Sequence, residues 1–322
     1  RAALRERRHR AARTRTRGWW RGRRSGAGAA VQDGREGDAP GLRARHRRRL
    51  QSAPRRLRGD GRVPRQPGRE AYPPQLRQTR RSTTLVSALL SIVIPAYNEQ
   101  ERIRPTLEEY VEHFRSWYEG DFEIVVVLNG CRDDTRGVVE EVAASAPEVR
   151  LAEFAAPLGK GGALREGLAL AEGSLILFVD ADNMVRAPEA AKLVDALEEH
   201  DIAIGDRFHG EDEEEGKSRS RRFVSKASRL WVRRFLGLPY SDTQCGAKAL
   251  SAEAWRTIAP HIRENGWAFD LDLLGHAERL GCSIVDVPVR WQHIAEGSKV
   301  QAWRDAPATF LATFRIRSRM RK

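Results

Sequence analysis

The chain has 322 residues and a formal net charge of +13, and this charge is unevenly distributed. The first 85 residues contain 26 arginines, no lysine and six acidic residues, whereas acidic residues outnumber basic ones in the remainder. Three widely spaced cysteines without CxxC or Cys/His spacing argue against structural zinc and a disulfide framework. No run approaches the roughly 18 apolar residues needed to span a bilayer, and the start lacks a signal-peptide pattern. We therefore expect a soluble or peripheral protein in a reducing compartment.

Residues 1–85 are rich in Arg, Gly and Pro and have little apolar periodicity. This composition predicts a disordered tail, because it buries too little apolar surface to offset chain entropy. An Arg-rich arm can bind nucleic acid or anionic lipid, whereas arginine without lysine is also typical of translated GC-rich DNA upstream of a true start. Nearly all the basic excess lies in this tail and no recognition motif accompanies it. We therefore expect no nucleic-acid partner, and a basic nucleic-acid-binding protein is only a distant alternative.

From residue 86 onward, short apolar runs alternate with helical patterns. In chain order the predicted elements are a strand at 89–94, a helix at 99–118, a strand at 122–128, a helix at 133–146, a strand at 149–154, a helix at 161–171, a strand at 175–179, a helix at 188–200 and a strand at 201–205. This alternation predicts an α/β fold with a mostly parallel sheet and helices on both faces. A single domain is expected over residues 86–305.

Two later segments combine arginines with apolar and aromatic side chains. Residues 221–236 follow a charged loop at 209–220, and residues 306–322 form a basic, amphipathic C-terminal segment. Such helices can lie in a membrane interface. The alternative is a helix whose apolar side faces the core while its arginines face water, and the pattern leaves both interpretations open.

Polar side chains follow three of the predicted strands at the point where each strand ends. They are Tyr97 and Glu99, then Asn129, then Asp180 with Asp182. Ligands of parallel α/β sheets bind at the carboxyl ends of the strands, so these residues form a candidate site. Two carboxylates one residue apart can share Mg²⁺ or Mn²⁺ and leave positions open for phosphate oxygens. The alternative for the Asp pair is a solvated turn in which Asp caps a helix.

Further polar residues are weaker candidates. Lys160 lies in a glycine-rich turn before a predicted helix, where backbone amides and the helix N-terminus favour an anion. Asp270 and Asp272 lie among aromatic and apolar residues, and an acid in such surroundings can act as a base. Residues two apart on a helix point to different faces, so only one of the two is expected to reach a site. His293 and Lys299 could ligate a metal or bind phosphate, but a lone His is more often structural, so they are the weakest candidates.

Taken in order, several motifs resemble those of family 2 glycosyltransferases, and the resemblance covers about residues 88–304. They are SIVIPAYNE at 91–99, GKGGALREG at 159–167, FVDAD at 178–182 and GDR at 205–207. DTQCGAK at 242–248 and WAFDLDLL at 267–274 are similar to the dolichyl-phosphate β-glucosyltransferase branch. The resemblance implies a GT-A fold and inverting transfer of a hexose, with glucose favoured, from UDP-glucose to a polyprenyl phosphate. It also implies a cytoplasmic protein, peripheral at the inner face of the cell membrane.

The same resemblance assigns roles to particular residues. Asp180 and Asp182 would bind the Mg²⁺ or Mn²⁺ ion, and Asp270 would position the acceptor or sugar, because an anionic acceptor phosphate needs no strong base. The residues implied in nucleotide-sugar binding are Pro95, Tyr97, Glu99, Asn129, Lys160, Asp180 and Arg207. Those implied in acceptor binding are Arg221, Ser225 and Gln244.

Three departures from the family pattern affect these expectations. Leu128, Asn129, Gly130 and Cys131 stand where the family usually has Asp-Asp-Gly-Ser, which changes the donor and acceptor groups presented to the base. Met184 replaces a Gln that related mannosyl enzymes offer to the metal, and Asp272 is the shorter acid where Glu also occurs. Use of GDP-mannose, or of a soluble or polysaccharide acceptor, therefore remains an alternative.

Overall fold

A computed structural model describes residues 88–208, 219–292 and 302–321, and within these ranges seven strands form one sheet. The strands are β1 (Leu90–Ala96), β2 (Phe122–Asn129), β3 (Val149–Phe154), β4 (Leu175–Phe178), β5 (Ile202–Asp206), β6 (Lys248–Ser251) and β7 (Ile284–Pro288). Their order in the sheet is β3-β2-β1-β4-β6-β5-β7. Strands β1 to β4 pair in parallel, β6 is antiparallel to β4 and β5, and β7 is parallel to β5. The predicted mostly parallel sheet is confirmed.

Eight α-helices accompany the sheet in the described part of the chain. They are α1 (Ile103–Trp117), α2 (Thr135–Ser145), α3 (Lys160–Leu170), α4 (Ala187–Asp195), α5 (Arg219–Trp231), α6 (Ala252–Ile258), α7 (Phe269–Arg279) and α8 (Ala302–Met320). Short 3-10 turns follow α4 and α6 at Ala196–Glu198 and Ala259–His261, and a π-helical turn, Val232–Leu236, extends α5. Local signals explain several starts: the Asp134 side chain caps α2 by accepting from the Gly137 amide, and Pro188 occupies the first turn of α4.

The two faces of the sheet are covered by separate layers of core residues. Along β1, Ile92 and Ile94 face a layer that includes residues of α1, α2 and α4, whereas Val93 faces a layer that includes residues of α3, α6, α7 and α8. Successive side chains of a strand point to opposite faces, so continuous apolar runs are what a sheet buried on both sides requires. This burial positions the strand ends, and with them the loops that carry the candidate site residues.

Helix α8 packs onto the rest of the fold through a small part of its surface. Ala312 and Ile316 are buried in the same core layer as α7, and the Trp231 indole donates to Thr313 Oγ1 at 3.2 Å. Within the described ranges, no helix is long and apolar enough to cross a membrane. The C-terminal arginine-rich segment is thus helical and joins α5 and α7 in one packed layer.

Candidate active site

A cavity of about 260 Å³ opens at the carboxyl edge of β1, β2 and β4. It brings together most of the residues that the motifs assign to nucleotide-sugar and metal binding. The lining residues shared with that assignment are Pro95, Tyr97, Glu99, Asn129, Lys160, Asp180 and Asp182. Arg102 and Trp267 also line the cavity, and neither is among the predicted site residues. The carboxyl-edge position follows from the parallel order of the strands.

The loop after β1 is held by hydrogen bonds to the loop after β2. Asn98 has a left-handed backbone (φ 55°), which Asn tolerates better than most residues, and its side-chain oxygen accepts from the Arg132 amide at 2.7 Å. The Glu99 amide donates to Thr135 Oγ1 at 2.8 Å, and the Glu99 carboxylate lies 2.6 Å from the Arg102 guanidinium. Glu99 is thus fixed in the cavity wall with its charge partly compensated.

The residues at the end of β2 that differ from the family pattern make specific contacts in the structure. Leu128 is 1% exposed and belongs to the core, so it does not face the cavity as an acid would. The Asn129 side-chain oxygen accepts from the Leu158 amide at 2.6 Å, which ties β2 to the loop before α3. The Cys131 thiol donates to the Ala96 carbonyl at 3.4 Å. Asn129 therefore lines the cavity and also holds the loop that carries Lys160.

Helix α1 supports the Asp180–Asp182 loop from beneath, a feature that no motif predicts. Thr106 Oγ1 donates to the Ala181 carbonyl at 2.9 Å, and the Tyr110 hydroxyl donates to the Val185 carbonyl at 2.8 Å. Glu109 accepts from the Asn183 side chain at 2.7 Å. Glu109 and Tyr110 lie three and four residues after Thr106, so all three side chains lie on one side of the helix. Polar residues at that spacing within an otherwise apolar stripe are the signal that would have identified them.

The Asp180 and Asp182 carboxylates form the centre of the site. Burial and the neighbouring charge of Asp180 raise the pKa of Asp182, although the Met184 amide donates to Asp182 at 3.2 Å and opposes the shift. A Cβ atom at Gly246 would lie 2.0 Å from Asp180 Oδ2, so the turn after residue 242 closes directly against this carboxylate. Two neighbouring carboxylates that repel each other suit a divalent cation with oxygen ligands.

The described ranges, 88–208, 219–292 and 302–321, contain no group of three or more His, Cys, Asp or Glu side chains arranged to hold a metal ion. At the cavity, Asp180 and Asp182 are two neighbouring carboxylates that could hold an ion together with ligands from outside the chain. Divalent ions such as Mg²⁺ commonly take one or two carboxylates and complete their shell with water and substrate phosphates. The residues present fit such an ion.

Lys160 approaches the same centre from the first residue of α3. Its Nζ lies 2.7 Å from Asp180 Oδ1 and 5.2 Å from the centroid of the Trp267 ring. Burial lowers the pKa of Lys160, but the carboxylates of Asp180 and Asp270 raise it by more, so the side chain stays an ammonium. The turn before it requires glycine, because Gly159 has φ 79° and a Cβ there would lie 2.4 Å from the Asn265 carbonyl oxygen.

Asp270 is 3% exposed at the start of α7, where it bonds Lys248, a residue of the DTQCGAK motif that is not among the predicted site residues. Lys248 Nζ donates to Asp270 Oδ1 at 2.6 Å and to the Cys245 carbonyl at 2.7 Å. Lys248 is fully buried in β6. Asp272 belongs to a different network: it accepts from the Arg263 amide at 2.7 Å and faces the protein interior. The two acids thus occupy different surroundings, and neither is among the residues that line the cavity.

The remaining predicted residues lie around the cavity. Arg207 pairs with Asp242, with Nε 2.5 Å from Oδ2, and is not among the residues that line the cavity. Burial disfavours the charge of Arg207, but its hydrogen bonds with Asp242 outweigh this and raise its pKa. Gln244 is exposed, and its amide nitrogen lies 3.4 Å from the Trp267 carbonyl.

Of the predicted acceptor residues on α5, Ser225 is half-buried. Arg221 lies on the same helix, four residues before it, and its side chain is outside the described residues. The weak ligand candidates His293 and Lys299 also lie outside the described ranges.

Comparison with known proteins connects this geometry to a family. Residues 91–254 match the family described as Glycosyl transferase family 2. The chain belongs to this family. Dolichyl-phosphate beta-glucosyltransferase ALG5C of Trichomonas vaginalis is 33% identical over 228 residues, 64% of this chain and 64% of that protein. Glycosyltransferase AglD of Haloferax volcanii is 32% identical over 227 residues, 70% of this chain but only 36% of that protein. Within the family, the chain is thus similar to the dolichyl-phosphate β-glucosyltransferase branch.

Solved structures agree on the architecture. Glucosyl-3-phosphoglycerate synthase from Mycobacterium tuberculosis, in complex with Mn²⁺ and UDP-glucose, superposes with a TM-score of 0.51. That match covers 70% of this chain and 79% of the other at 22% identity, so it is evidence for the fold alone. The predicted GT-A fold is confirmed, and the family match confirms the expected membership of glycosyltransferase family 2.

Proposed function

We propose that this protein transfers a hexose, with glucose favoured, from a nucleotide sugar to a polyprenyl phosphate. The observation that carries the proposal is the meeting of Asp180, Asp182 and Lys160 at the edge of a cavity whose other walls come from the loops after β1 and β2. A nucleoside diphosphate leaving group is polyanionic. A divalent ion on the two carboxylates, Mg²⁺ or Mn²⁺, would stabilise that charge as the glycosidic bond breaks.

The proposed reaction is a single displacement with inversion at the anomeric carbon. An oxygen of the acceptor phosphate forms the new bond to that carbon, and the nucleoside diphosphate leaves with the bonding electrons. Because the acceptor oxygen is already anionic, no proton has to be removed by a strong base. Lys160 would remain beside the leaving phosphates, and Asp270 would position the acceptor or the sugar. Pro95, Tyr97, Glu99 and Asn129 would contact the nucleoside.

The polyprenyl acceptor is supported by the relatives and by an exposed surface. Several curated relatives are dolichyl-phosphate β-glucosyltransferases, of which ALG5C is one. Helices α5 and α8 also expose large apolar side chains: Leu230 is 66% exposed, Leu311 58%, Phe310 46% and Phe314 45%. We call these four residues the apolar face. Aromatic and aliphatic side chains beside arginines suit the interface of an anionic membrane, so peripheral attachment at the cytoplasmic membrane face belongs to the proposal.

The test is a transfer assay with purified protein, Mg²⁺ or Mn²⁺, a panel of sugar nucleotides and a polyprenyl phosphate in vesicles. Metal-dependent formation of a sugar phospholipid, fastest with UDP-glucose, is the expected result. Asp182→Ala should lower the rate at least about 100-fold without loss of folding, because metal stabilisation of the leaving group contributes several kcal/mol. Asp121→Ala, an exposed acid at the opposite end of β2, is the matched control and should retain the rate.

Failure of every donor to yield a sugar phospholipid would overturn the proposal. Transfer to a soluble sugar acceptor alone would favour the alternative acceptor, and transfer only from GDP-mannose would change the donor. Membrane attachment is tested separately. Leu311→Ser should weaken binding of the protein to vesicles that contain anionic lipid. Equal binding by the variant and the parent protein would contradict a role for the apolar face.

A further inference from the structure

Lys248 is a buried cation next to the candidate site. The proposed transfer reaction assigns no role to this lysine. Its side chain is fully buried, and its Nζ bonds both the Asp270 carboxylate at 2.6 Å and the Cys245 carbonyl at 2.7 Å. Burying two charges is costly, and well-packed apolar residues commonly stabilise a core as well as an ion pair does. The pair is thus better explained by what it does to its surroundings than by stability.

The two bonds of Lys248 join the chain segments that reach the centre of the site. Cys245 precedes Gly246, whose Cα packs against the Asp180 carboxylate. A Cβ atom at this position would lie 2.0 Å from Asp180 Oδ2. Asp270 opens α7. One ammonium therefore anchors the turn that packs on the proposed metal ligand and the helix that carries the proposed acceptor-positioning acid.

The charge of Lys248 also bears on Lys160. Helices α3 and α7 begin in contact, since a Cβ at Gly161 would lie 2.6 Å from Phe269 Cβ. Lys160 Nζ is held by Asp180 at 2.7 Å and lies over Trp267, three residues before Asp270. Asp270 is thus a second anion within the electrostatic reach of Lys160. In a buried setting, an unpaired carboxylate attracts a nearby ammonium strongly.

We propose that Lys248 is a positioning residue that neutralises Asp270 and thereby leaves Lys160 on Asp180, where it meets the donor diphosphate. The inference rests on the proposed function, because it assigns a role within the same donor site. Without the Lys248 charge, Asp270 draws Lys160 away from Asp180, and the donor loses a cation that contacts its leaving group. Removing the Asp270 charge as well abolishes this competition.

The test measures binding of UDP-glucose with Mn²⁺ by calorimetry, so it needs no acceptor and no turnover. Lys248→Met should weaken binding about tenfold or more in the parent protein. In an Asp270→Asn background the same lysine substitution should change the affinity less than about threefold, because the competing carboxylate charge is already absent. Loss of packing would instead weaken binding by the same factor in both backgrounds.

Arg150→Met is the matched control, because Arg150 pairs with the mostly buried Glu123 at 2.6 Å near the start of β2, away from the carboxyl edge. It should lower the unfolding temperature and leave the affinity for UDP-glucose unchanged. If Lys248→Met does not accumulate as folded protein, Lys248→Gln removes the same charge while retaining a hydrogen-bond donor. The same loss of affinity is then expected.

Two outcomes would overturn the assignment of Lys248: parental affinity in the folded lysine variant, or an equal loss of affinity when Lys248→Met is made in the Asp270→Asn background. Absence of UDP-glucose binding by the parent protein is a different result. It would remove the proposed function, and the role of Lys248 would fall with it.

Discussion

Two regions of the molecule meet at the cavity, and they are held in different ways. The carboxyl edge of β1, β2 and β4 is fixed by main-chain geometry after buried strands, with short side-chain bonds such as Asn129 to the Leu158 amide. Trp267 also lines the cavity, and the region it belongs to, residues 263–267 with α7, is fixed by ion pairs to α8. Arg319 bonds both Glu264 and Asp272 at 3.0 Å. The first region is encoded locally, and the second depends on residues about 50 positions apart.

The largest effect on stability is expected from substitution of Asp272, which bonds both Arg319 of α8 and the Arg263 amide of the second region. Burial raises the pKa of Asp272, but the neighbouring His276 imidazole, together with hydrogen bonds from the Arg263 and Glu264 amides and from Arg319, outweighs it and holds the pKa below its ordinary value. Asp272→Asn should lower the free energy of unfolding by about 3 kcal/mol at pH 7, since it removes one partner of a buried ion pair. Urea unfolding of the variant and the parent measures the difference.

The same carboxylate gives the stability a pH dependence of known sign. Because the pKa is lower in the folded state than in the unfolded chain, the stabilisation is complete above about pH 4 and is lost as the pH falls through the folded-state value. The parent protein should therefore lose stability more steeply than Asp272→Asn below pH 4. Asp121→Asn, an exposed acid, should leave both the stability and its slope unchanged. Equal slopes for Asp272→Asn and the parent would contradict the network.

A second test concerns the turn that carries Gly246, which packs against Asp180, one of the two proposed metal ligands. Gly246→Ala places a Cβ where it collides with Asp180 Oδ2, so it should weaken Mn²⁺ affinity about tenfold through displacement of one of two ligands. Gly266→Ala is the matched control, because nothing lies within 4 Å of its added Cβ. Calorimetric titration with Mn²⁺ distinguishes them. Similar affinities in both variants would show that the Asp180 carboxylate is not confined by this turn.

The smallest effect concerns the support that α1 gives to the first region. Thr106→Val is nearly isosteric and removes the bond to the Ala181 carbonyl, so it should cost about 1 kcal/mol of unfolding free energy. Thr257→Val removes a bond on an exposed helix surface and should cost less than about 0.5 kcal/mol. Thermal or urea unfolding provides the comparison. Equal costs would mean that the loop does not depend on this contact.

Sequence patterns predict the first region far better than the second. Strands β1 to β5 and helices α1 to α4 follow from apolar runs and helical periodicity, and the polar residues at the strand ends follow with them. Strand β6 has four residues and begins with Lys248, and β7 contains a carboxylate and ends with Pro288, so neither resembles a buried strand. Their conformation is set by neighbours in the sheet, which no local pattern contains.

The residues of the candidate site also differ in how well the sequence predicts them. Asp180, Asp182 and Lys160 belong to motifs with a local chemical meaning, and the structure brings them together. Thr106 and Lys248 contribute through buried hydrogen bonds. Thr106 lies outside the quoted motifs, and although Lys248 ends the DTQCGAK motif, the motif carries no information about the partner of this lysine. The Asp272 network is hidden for a further reason: its arginines lie in a basic segment whose composition equally favours a solvent-exposed surface.

The position of β6 has a consequence for how the chain is made. Strands β4 and β5 are consecutive in the chain, yet β6 lies between them in the sheet. During synthesis the outer edge of β4 therefore lacks its neighbour until residues 248–251 have left the ribosome. An unpaired strand edge in a nascent chain readily pairs with other chains. We expect a ribosome stalled before residue 248 to display a four-stranded sheet that binds chaperones and becomes protected once β6 emerges.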